Sequence, residues 1–96
     1  ADPRLQDPRP SSTGGPRAAA AQGGTNLRQK SDPALDTADW PDDPGPGNLR
    51  VDYVLPSADL HVVDAVVWWP EPGGALAAEA EAASRHRLVL VEIALP

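Results

Sequence analysis

Large apolar residues lie mostly in the second half of the chain, where they form three short runs at residues 50–55, 60–69 and 87–95. Pro56 ends the first run and Pro70 ends the second. Short apolar runs that stop at turn residues are typical of β-strands. The second and third runs are apolar at both sets of alternating positions, which predicts strands that are covered on both faces.

A weaker element is predicted between the second and third strands. Residues 75–84 are rich in alanine and include Glu79 and Glu81, which favour a helix, but Leu76 is their only large apolar residue. Because a short alanine-rich helix is marginal by itself, this pattern indicates either a weak helix or a disordered connection.

The first half of the chain has the opposite character. Residues 1–48 contain eight of the twelve prolines and six of the eight glycines, whereas residues 49–96 contain all of the valine and isoleucine. A segment with so little apolar surface cannot offset the conformational entropy that folding removes. We therefore divide the chain into a largely irregular, Pro- and Gly-rich region, residues 1–48, and a β-rich region, residues 49–96.

Two local signals stand out in the first region. Residues 18–22 predict one short helical turn, which Gly23 and Gly24 would stop. Ser31 or Asp32 can cap a second brief turn, since a proline follows them and proline suits the first helical position.

The end of the first region reads as a long loop. Asp42 and Asp43 precede alternating proline and glycine, which predicts an irregular, solvated turn. A loop of this length is either functional or of no chemical consequence, and the sequence leaves both readings open.

Charge and composition exclude several classes of function. The formal charge of −6 argues against a free-standing nucleic-acid-binding patch, because phosphate contacts need clustered cations. The chain has no cysteine, so disulfides and thiolate metal sites are excluded. No run of apolar residues is long enough to predict a transmembrane helix, and no membrane segment is expected.

Two titratable residues stand at the edges of apolar runs and are the candidates for chemistry. Asp52 interrupts the first run, and His86 precedes the third. A carboxylate that binds one imidazole nitrogen fixes the tautomer of the ring and raises the basicity of the other nitrogen. The two residues are together the candidates for a base in hydrolysis, and the motif context around both predicts that Asp52 and His86 meet across neighbouring strands.

The segments around these residues carry a family resemblance. Residues 48–57 read Asn-Leu-Arg-Val-Asp-Tyr-Val-Leu-Pro-Ser, and residues 84–89 read Ser-Arg-His-Arg-Leu-Val. They resemble the Arg-hydrophobic-Asp-Tyr-hydrophobic-Leu strand and the terminal Ser-Asp-His motif of the endonuclease/exonuclease/phosphatase superfamily, whose fold is that of deoxyribonuclease I. Residues 31–40 are similar to the loop that bacterial members carry before the Asp-Tyr strand.

This resemblance implies a fold, an activity and roles for individual residues. The fold would be α/β, a four-layer sandwich of which this chain is a C-terminal fragment with three strands. The activity would be hydrolysis of phosphate esters with Mg²⁺ or Mn²⁺. Asp52 would orient His86, and His86 would act on the attacking water. Asn48, at the mouth of the Asp-Tyr strand, would contact the substrate phosphate.

Two departures from the family pattern affect these expectations. The residue before the terminal His is usually Asp in the family, and here it is Arg85, which we interpret as a phosphate contact. The family's earlier motifs have no match in this chain: its metal-binding Asn and Glu, its central His, and its Gly-Asp-hydrophobic-Asn. We therefore expect a C-terminal portion of a longer enzyme, inactive alone, whose metal ligands come mainly from upstream residues.

Two alternatives belong to other classes of protein. One is a non-catalytic, β-rich binding or interaction module in which Asp52 and His86 are structural. The other is a disordered, Pro-rich adaptor with one short β-meander.

Overall fold

The computed structural model describes residues 2–41 and 44–95 of the chain, so the predicted turn at Asp42 and Asp43 lies outside the described residues. It is a small mixed α/β structure with two α-helices and two small antiparallel sheets. The elements in chain order are α1 (Gly14–Gln22), two 3₁₀ helices (Gly24–Arg28 and Pro33–Leu35), β1 (Ala38–Asp39), β2 (Asn48–Leu49), β3 (His61–Trp68), α2 (Ala77–Ala83) and β4 (Leu88–Ala94).

The larger sheet is the antiparallel ribbon formed by β3 and β4, which confirms the second and third predicted strands to within one residue at each end. Trp68 pairs with Leu88 at one end of the ribbon, and His61 pairs with Ala94 at the other. The register shifts near Val63, which is left unpaired. This bulge reverses the alternation of side chains beyond it.

The first predicted strand is wrong. Only Asn48–Leu49 forms a strand, and the chain from residue 50 to residue 56 is irregular. The backbone N–H groups of Val51 and Asp52 both donate to the hydroxyl oxygen of Thr37, at 3.0 Å each. Because one side-chain oxygen takes both donors, these residues do not continue a strand ladder.

The expectation that the first region, residues 1–48, is largely irregular is wrong at α1, which has nine residues. Gly14 and Gly15 are buried, and an added Cβ would lie 1.8 Å from the carbonyl oxygen of Trp69 and 2.4 Å from that of Pro33, respectively. These glycines therefore allow close packing of the helix start, although in the sequence they read as helix breakers. The predicted stop is confirmed, since Gly23 ends the helix with φ of +67°.

The remaining local predictions agree with the structure in outline. Asp32 caps the second 3₁₀ helix, with its Oδ1 accepting the N–H of Ala34 at 2.9 Å. The weak helix predicted at residues 75–84 is present as α2, and it has seven residues.

A small core and a set of backbone hydrogen bonds connect the two halves of the chain. Ala18 of α1 packs with Val67 and Trp69, and Val89 of β4 covers this cluster. Ser11 pairs with the free edge of β3, donating to the carbonyl of Ala65 and accepting the N–H of Val67. The first half is therefore held along the inner face and one edge of the ribbon.

The opposite face of the ribbon is largely uncovered. We call the side chains of Trp68, Leu88 and Leu90 its outer face, because Trp68 and Leu88 are direct partners and Leu90 follows two positions later. They are 43%, 62% and 50% exposed, respectively. The prediction of strands covered on both faces is therefore met on the inner face only.

The role of Gly14 can be tested by adding one methyl group. Gly14→Ala should lower the free energy of unfolding by about 1–3 kcal/mol, because the new Cβ collides with the carbonyl of Trp69 and the helix must move away. A free helical position would instead gain about 1 kcal/mol from the same change. The measurement is the urea midpoint of unfolding.

Ala20→Gly, at an exposed position of the same helix, is the matched control. It should cost about 1 kcal/mol through helix propensity alone. An unfolding midpoint that rises in Gly14→Ala would contradict close packing at this position.

Candidate functional site

The candidate site is built around a short central segment, residues 37–39, which hydrogen-bonds to chain on both sides. Ala38 pairs with Leu49 on one side and with His86 on the other, both antiparallel. The N–H of Thr37 donates to the carbonyl of Leu49 at 2.9 Å, and its carbonyl accepts the N–H of Arg87 at 2.7 Å. The central segment thereby joins the chain that leads to Asp52 with the chain that carries His86.

Asp52 and His86 are in direct contact. Nδ1 of His86 lies 2.7 Å from Oδ2 of Asp52, although the residues are 34 positions apart. The expected contact is therefore present, but not across neighbouring strands, since Asp52 lies in irregular chain and His86 pairs with Ala38. The catalytic roles of both residues stay predictions.

The protonation pattern of the pair follows from its geometry. An ionised carboxylate only accepts hydrogen bonds, so a neutral imidazole beside it carries its proton on Nδ1. Nε2 of His86 is then an acceptor. The histidine side chain is 46% exposed, so solvent or a substrate can reach part of the ring.

Local contacts restrict the histidine further. Its backbone N–H donates to the hydroxyl of Ser84 at 3.0 Å, a turn contact within its own segment. The ring of Trp40 meets the imidazole edge-on, with ring centroids 5.5 Å apart and planes at 85°. The contact between Trp40 and His86 was not predicted from the sequence. No local signal links these two residues, because they are 46 positions apart in the sequence.

The arginine before the histidine is placed differently from the expectation. Arg85 and Arg87 line an open cavity of about 370 Å³ together with Asp39, Glu81 and Ser84, and His86 is not among the residues that line it. Nη1 of Arg85 lies 3.3 Å from the carbonyl oxygen of Asp39. Two carboxylates in the same cavity oppose a phosphate there. The phosphate contact of Arg85 therefore stays a prediction without support from this geometry.

Arg87, in contrast, is a buried structural cation. Its guanidinium lies 4.7 Å from the centre of the Trp69 ring, and its Nη1 donates to the carbonyl of Ser84 at 2.9 Å. Nη2 is 3.8 Å from Oδ2 of Asp39, which also accepts from Gln22. These contacts fix the backbone on the C-terminal side of His86.

Asn48 lies in the interior and not at the surface. It is 1% exposed, and its Nδ2 donates to Oε1 of Gln22 at 2.9 Å. Its backbone N–H donates to Oδ1 of Asn26 at 2.7 Å. The Nδ2 group and the backbone N–H thus both donate to protein partners, while Oδ1 has no partner among the described residues. Because Asn48 is buried, its expected contact with a substrate phosphate has no support from this arrangement and stays a prediction. The amide network also explains the burial of these donors, because each would otherwise be desolvated without a partner.

Arg50, the next basic residue along the chain, is committed to an ion pair. Its Nη1 donates to Oδ2 of Asp7 at 2.7 Å, and the guanidinium lies 4.3 Å from the centre of the Tyr53 ring. The hydrogen bonds from Arg50 hold the pKa of Asp7 below its usual value. The pair fastens the N-terminal segment to the chain that leads to Asp52.

One carboxyl group beside the central segment is unusual. Asp36 is fully buried, and burial raises its pKa to about 6, although a hydrogen bond from Gln29 opposes the shift. Asp32 adds a smaller effect in the same direction as burial. Oδ2 of Asp36 has no partner among the described residues. The charged form is therefore disfavoured directly next to Thr37.

The described residues do not fit the Mg²⁺ or Mn²⁺ site that the resemblance implies. Within residues 2–41 and 44–95 there is no group of three or more His, Cys, Asp or Glu side chains that could hold a metal ion. Hard divalent cations require several oxygen ligands. In the same part of the chain, no helix has the length and apolar character that crossing a membrane requires.

Comparisons with known proteins give no relatives: no protein-family model, no curated protein and no solved structure matches this chain.

The raised pKa of Asp36 predicts a pH dependence of stability. Its pKa is above the unfolded value of 3.8, so its contribution to stability is full below about pH 4 and is lost as the pH rises through about 6. Asp36→Asn should remove this loss. The variant should gain roughly 1–3 kcal/mol relative to the wild type between pH 4 and pH 7. Urea unfolding at several pH values measures the difference.

Glu79→Gln, which changes an exposed carboxyl of α2, is the control and should show no such gain. If the stability curves of Asp36→Asn and the wild type run parallel across this pH range, the pKa of Asp36 is not raised by burial and the prediction is wrong.

Proposed function

We propose that this chain is the C-terminal part of a metal-dependent phosphoesterase that hydrolyses phosphate esters, in which Asp52 orients His86. The observation that carries the proposal is the 2.7 Å contact between Nδ1 of His86 and Oδ2 of Asp52. The motif resemblance predicts a contact between these residues, which are 34 positions apart, and its presence supports the proposal.

The roles of the pair follow from its hydrogen bond. Asp52 keeps the Nδ1 proton in place and stabilises the imidazolium that forms when Nε2 gains a second proton. Nε2 accepts that proton from the water that attacks phosphorus. Trp40 packs against the ring and limits its rotation, which keeps Nε2 in one direction.

The described residues do not account for the binding of a metal ion. Mg²⁺ or Mn²⁺ would polarise the phosphate and neutralise the leaving oxygen when bound. Because the described residues offer no set of ligands, the ligands would come from another part of the enzyme, and no step of the proposal passes through the metal. For the same reason the chain alone is expected to be inactive.

The uncovered apolar surface supports a larger fold. The outer face of the ribbon and the irregular segment 51–55 expose apolar groups that a stable sandwich would bury, among them Val51, Tyr53, Val54 and Leu55. Exposed apolar surface of this extent marks a place where further protein packs. Within the proposed four-layer sandwich, the missing layers would cover these residues.

The same surface favours the second candidate function, a non-catalytic interaction module. In that case the outer face of the ribbon would bind a separate protein, and the contact between Asp52 and His86 would only hold the loop that carries Asp52. The two functions differ in what happens when the pair is removed, because only the enzyme needs a base.

Removal of the base tests the proposal in an enzyme that includes this chain. His86→Ala should lower kcat for phosphate-ester hydrolysis by about 10²–10⁴-fold, since the water loses its proton acceptor. Asp52→Asn should cause a large loss too, because an amide cannot stabilise the imidazolium. Initial rates on a phosphodiester and a phosphomonoester with added Mg²⁺ measure both.

His61→Ala is the matched control, because His61 is an exposed histidine at the far end of the ribbon from residue 88. It should leave the rate unchanged. Full activity in His86→Ala would contradict a catalytic role for this chain and would favour the non-catalytic interaction module. Metal-dependent hydrolysis by the 96-residue chain itself, abolished by His86→Ala, would contradict the need for ligands from elsewhere.

A further inference from the structure

We propose that Thr37 is the positioning residue of the Asp52–His86 pair: its hydroxyl group holds the backbone at Asp52, and its main chain holds the backbone next to His86. The inference deepens the proposed function and rests on it for the catalytic meaning of the pair. The hydrogen bonds of Thr37 go to the backbone around Asp52 and His86 and not to the imidazole ring, so in this proposal it acts only through the two residues that it aligns.

The hydroxyl of Thr37 is the acceptor that fixes Asp52. It accepts the N–H of Val51 and the N–H of Asp52, each at 3.0 Å. Thr37 is 1% exposed, so water does not compete for these donors. Because two successive N–H groups point at one oxygen, the backbone direction at Asp52 is set, and with it the direction in which the carboxylate leaves the chain.

The main chain of Thr37 fixes the other partner. Its carbonyl accepts the N–H of Arg87 at 2.7 Å, and the adjacent residue, Ala38, forms the bridge to His86. Its own N–H donates to the carbonyl of Leu49, the residue that leads into the Asp52 segment. One buried residue therefore holds the backbone on both sides of the candidate pair.

The pair is too weak to produce this arrangement by itself. The side chains of His86 and Asp52 are 46% and 37% exposed, and an ion pair at such a site gives little stabilisation after solvent screening. The geometry must come from the surrounding hydrogen bonds. The hydroxyl of Thr37 supplies the ones at Asp52, where no strand ladder is present.

Two substitutions separate the contribution of the hydroxyl group of Thr37 from that of its branched shape. Valine has the same branched shape but no acceptor, so Thr37→Val leaves the N–H groups of Val51 and Asp52 without a partner. Serine keeps the hydroxyl and loses only the methyl group, although its χ1 angle is less restricted. Thr37→Ser should therefore retain the alignment that Thr37→Val loses.

The experiment uses the 96-residue chain and two NMR readouts. In the wild type, the amides of Val51 and Asp52 should exchange with solvent more slowly than those of Tyr53 and Val54, which lie in the same exposed segment. The ¹⁵N shifts of the neutral His86 ring should report a single tautomer with the proton on Nδ1.

Thr37→Val should reduce the protection of the Val51 and Asp52 amides by about tenfold or more. The His86 shifts should move towards the average of two tautomers, because Asp52 no longer stays in line with Nδ1. Thr37→Ser should restore both readouts. Val67→Ala is the matched control: it removes part of the buried core cluster, lowers stability, and should leave the His86 tautomer unchanged.

The inference is overturned if the wild-type amides of Val51 and Asp52 exchange as fast as those of Tyr53 and Val54. It is also overturned if a folded Thr37→Val keeps the wild-type tautomer, or if Thr37→Ser loses it. Should Thr37→Val not fold, the wild-type exchange rates and Thr37→Ser still decide the question.

Failure of this inference is distinguishable from failure of the proposed function. The NMR readouts need no turnover, so they can support alignment by Thr37 even if hydrolysis proves independent of His86. Conversely, hydrolysis that requires His86 together with unaltered tautomers in Thr37→Val would keep the phosphoesterase and remove the role of Thr37.

Discussion

The structure depends on the hydrogen bonds of one short segment, residues 37–39, in which Thr37 and Ala38 are buried. Three parts of the chain that are far apart in sequence meet there: the segment itself, the chain at Leu49 and the chain at His86. Two-residue strands contribute little apolar surface, so their alignment comes from backbone bonds and from the side-chain bonds of Thr37. Because such bonds are directional, they fix geometry more strongly than they add stability.

The polar site and the apolar ribbon place different demands on the rest of the protein. The hydroxyl of Thr37 and the Nδ2 and backbone N–H groups of Asn48 have partners within the described chain, whereas Oδ1 of Asn48 has none there. The outer face of the ribbon finds no such partner among the described residues, since Leu88 and Leu90 remain exposed. Apolar surface is removed from water only when many other atoms pack over it, whereas a hydrogen-bond donor needs only one acceptor.

Part of this arrangement could be predicted from sequence because its causes are local. The apolar runs define β3 and β4, Gly23 stops α1, and Asp32 caps the turn ahead of Pro33. The contact between Asp52 and His86 was predictable only through motif resemblance, since no local pattern links positions 34 apart. It is the one part of the candidate site that sequence reasoning located.

The remaining parts depend on distant contacts that reverse a local preference. Glycine disfavours a helix by its intrinsic propensity, but at Gly14 the carbonyl of Trp69 occupies the space that a side chain would need. The sequence of residues 50–55 predicts a strand, but the hydroxyl of Thr37 accepts the N–H groups of Val51 and Asp52.

The loss of this predicted strand has a chemical consequence. A regular strand would alternate side chains in fixed directions, while an irregular segment held at two successive amides can aim one carboxylate at a chosen nitrogen. In this structure it is the irregular segment that brings Asp52 to His86, and the two do not lie on paired strands.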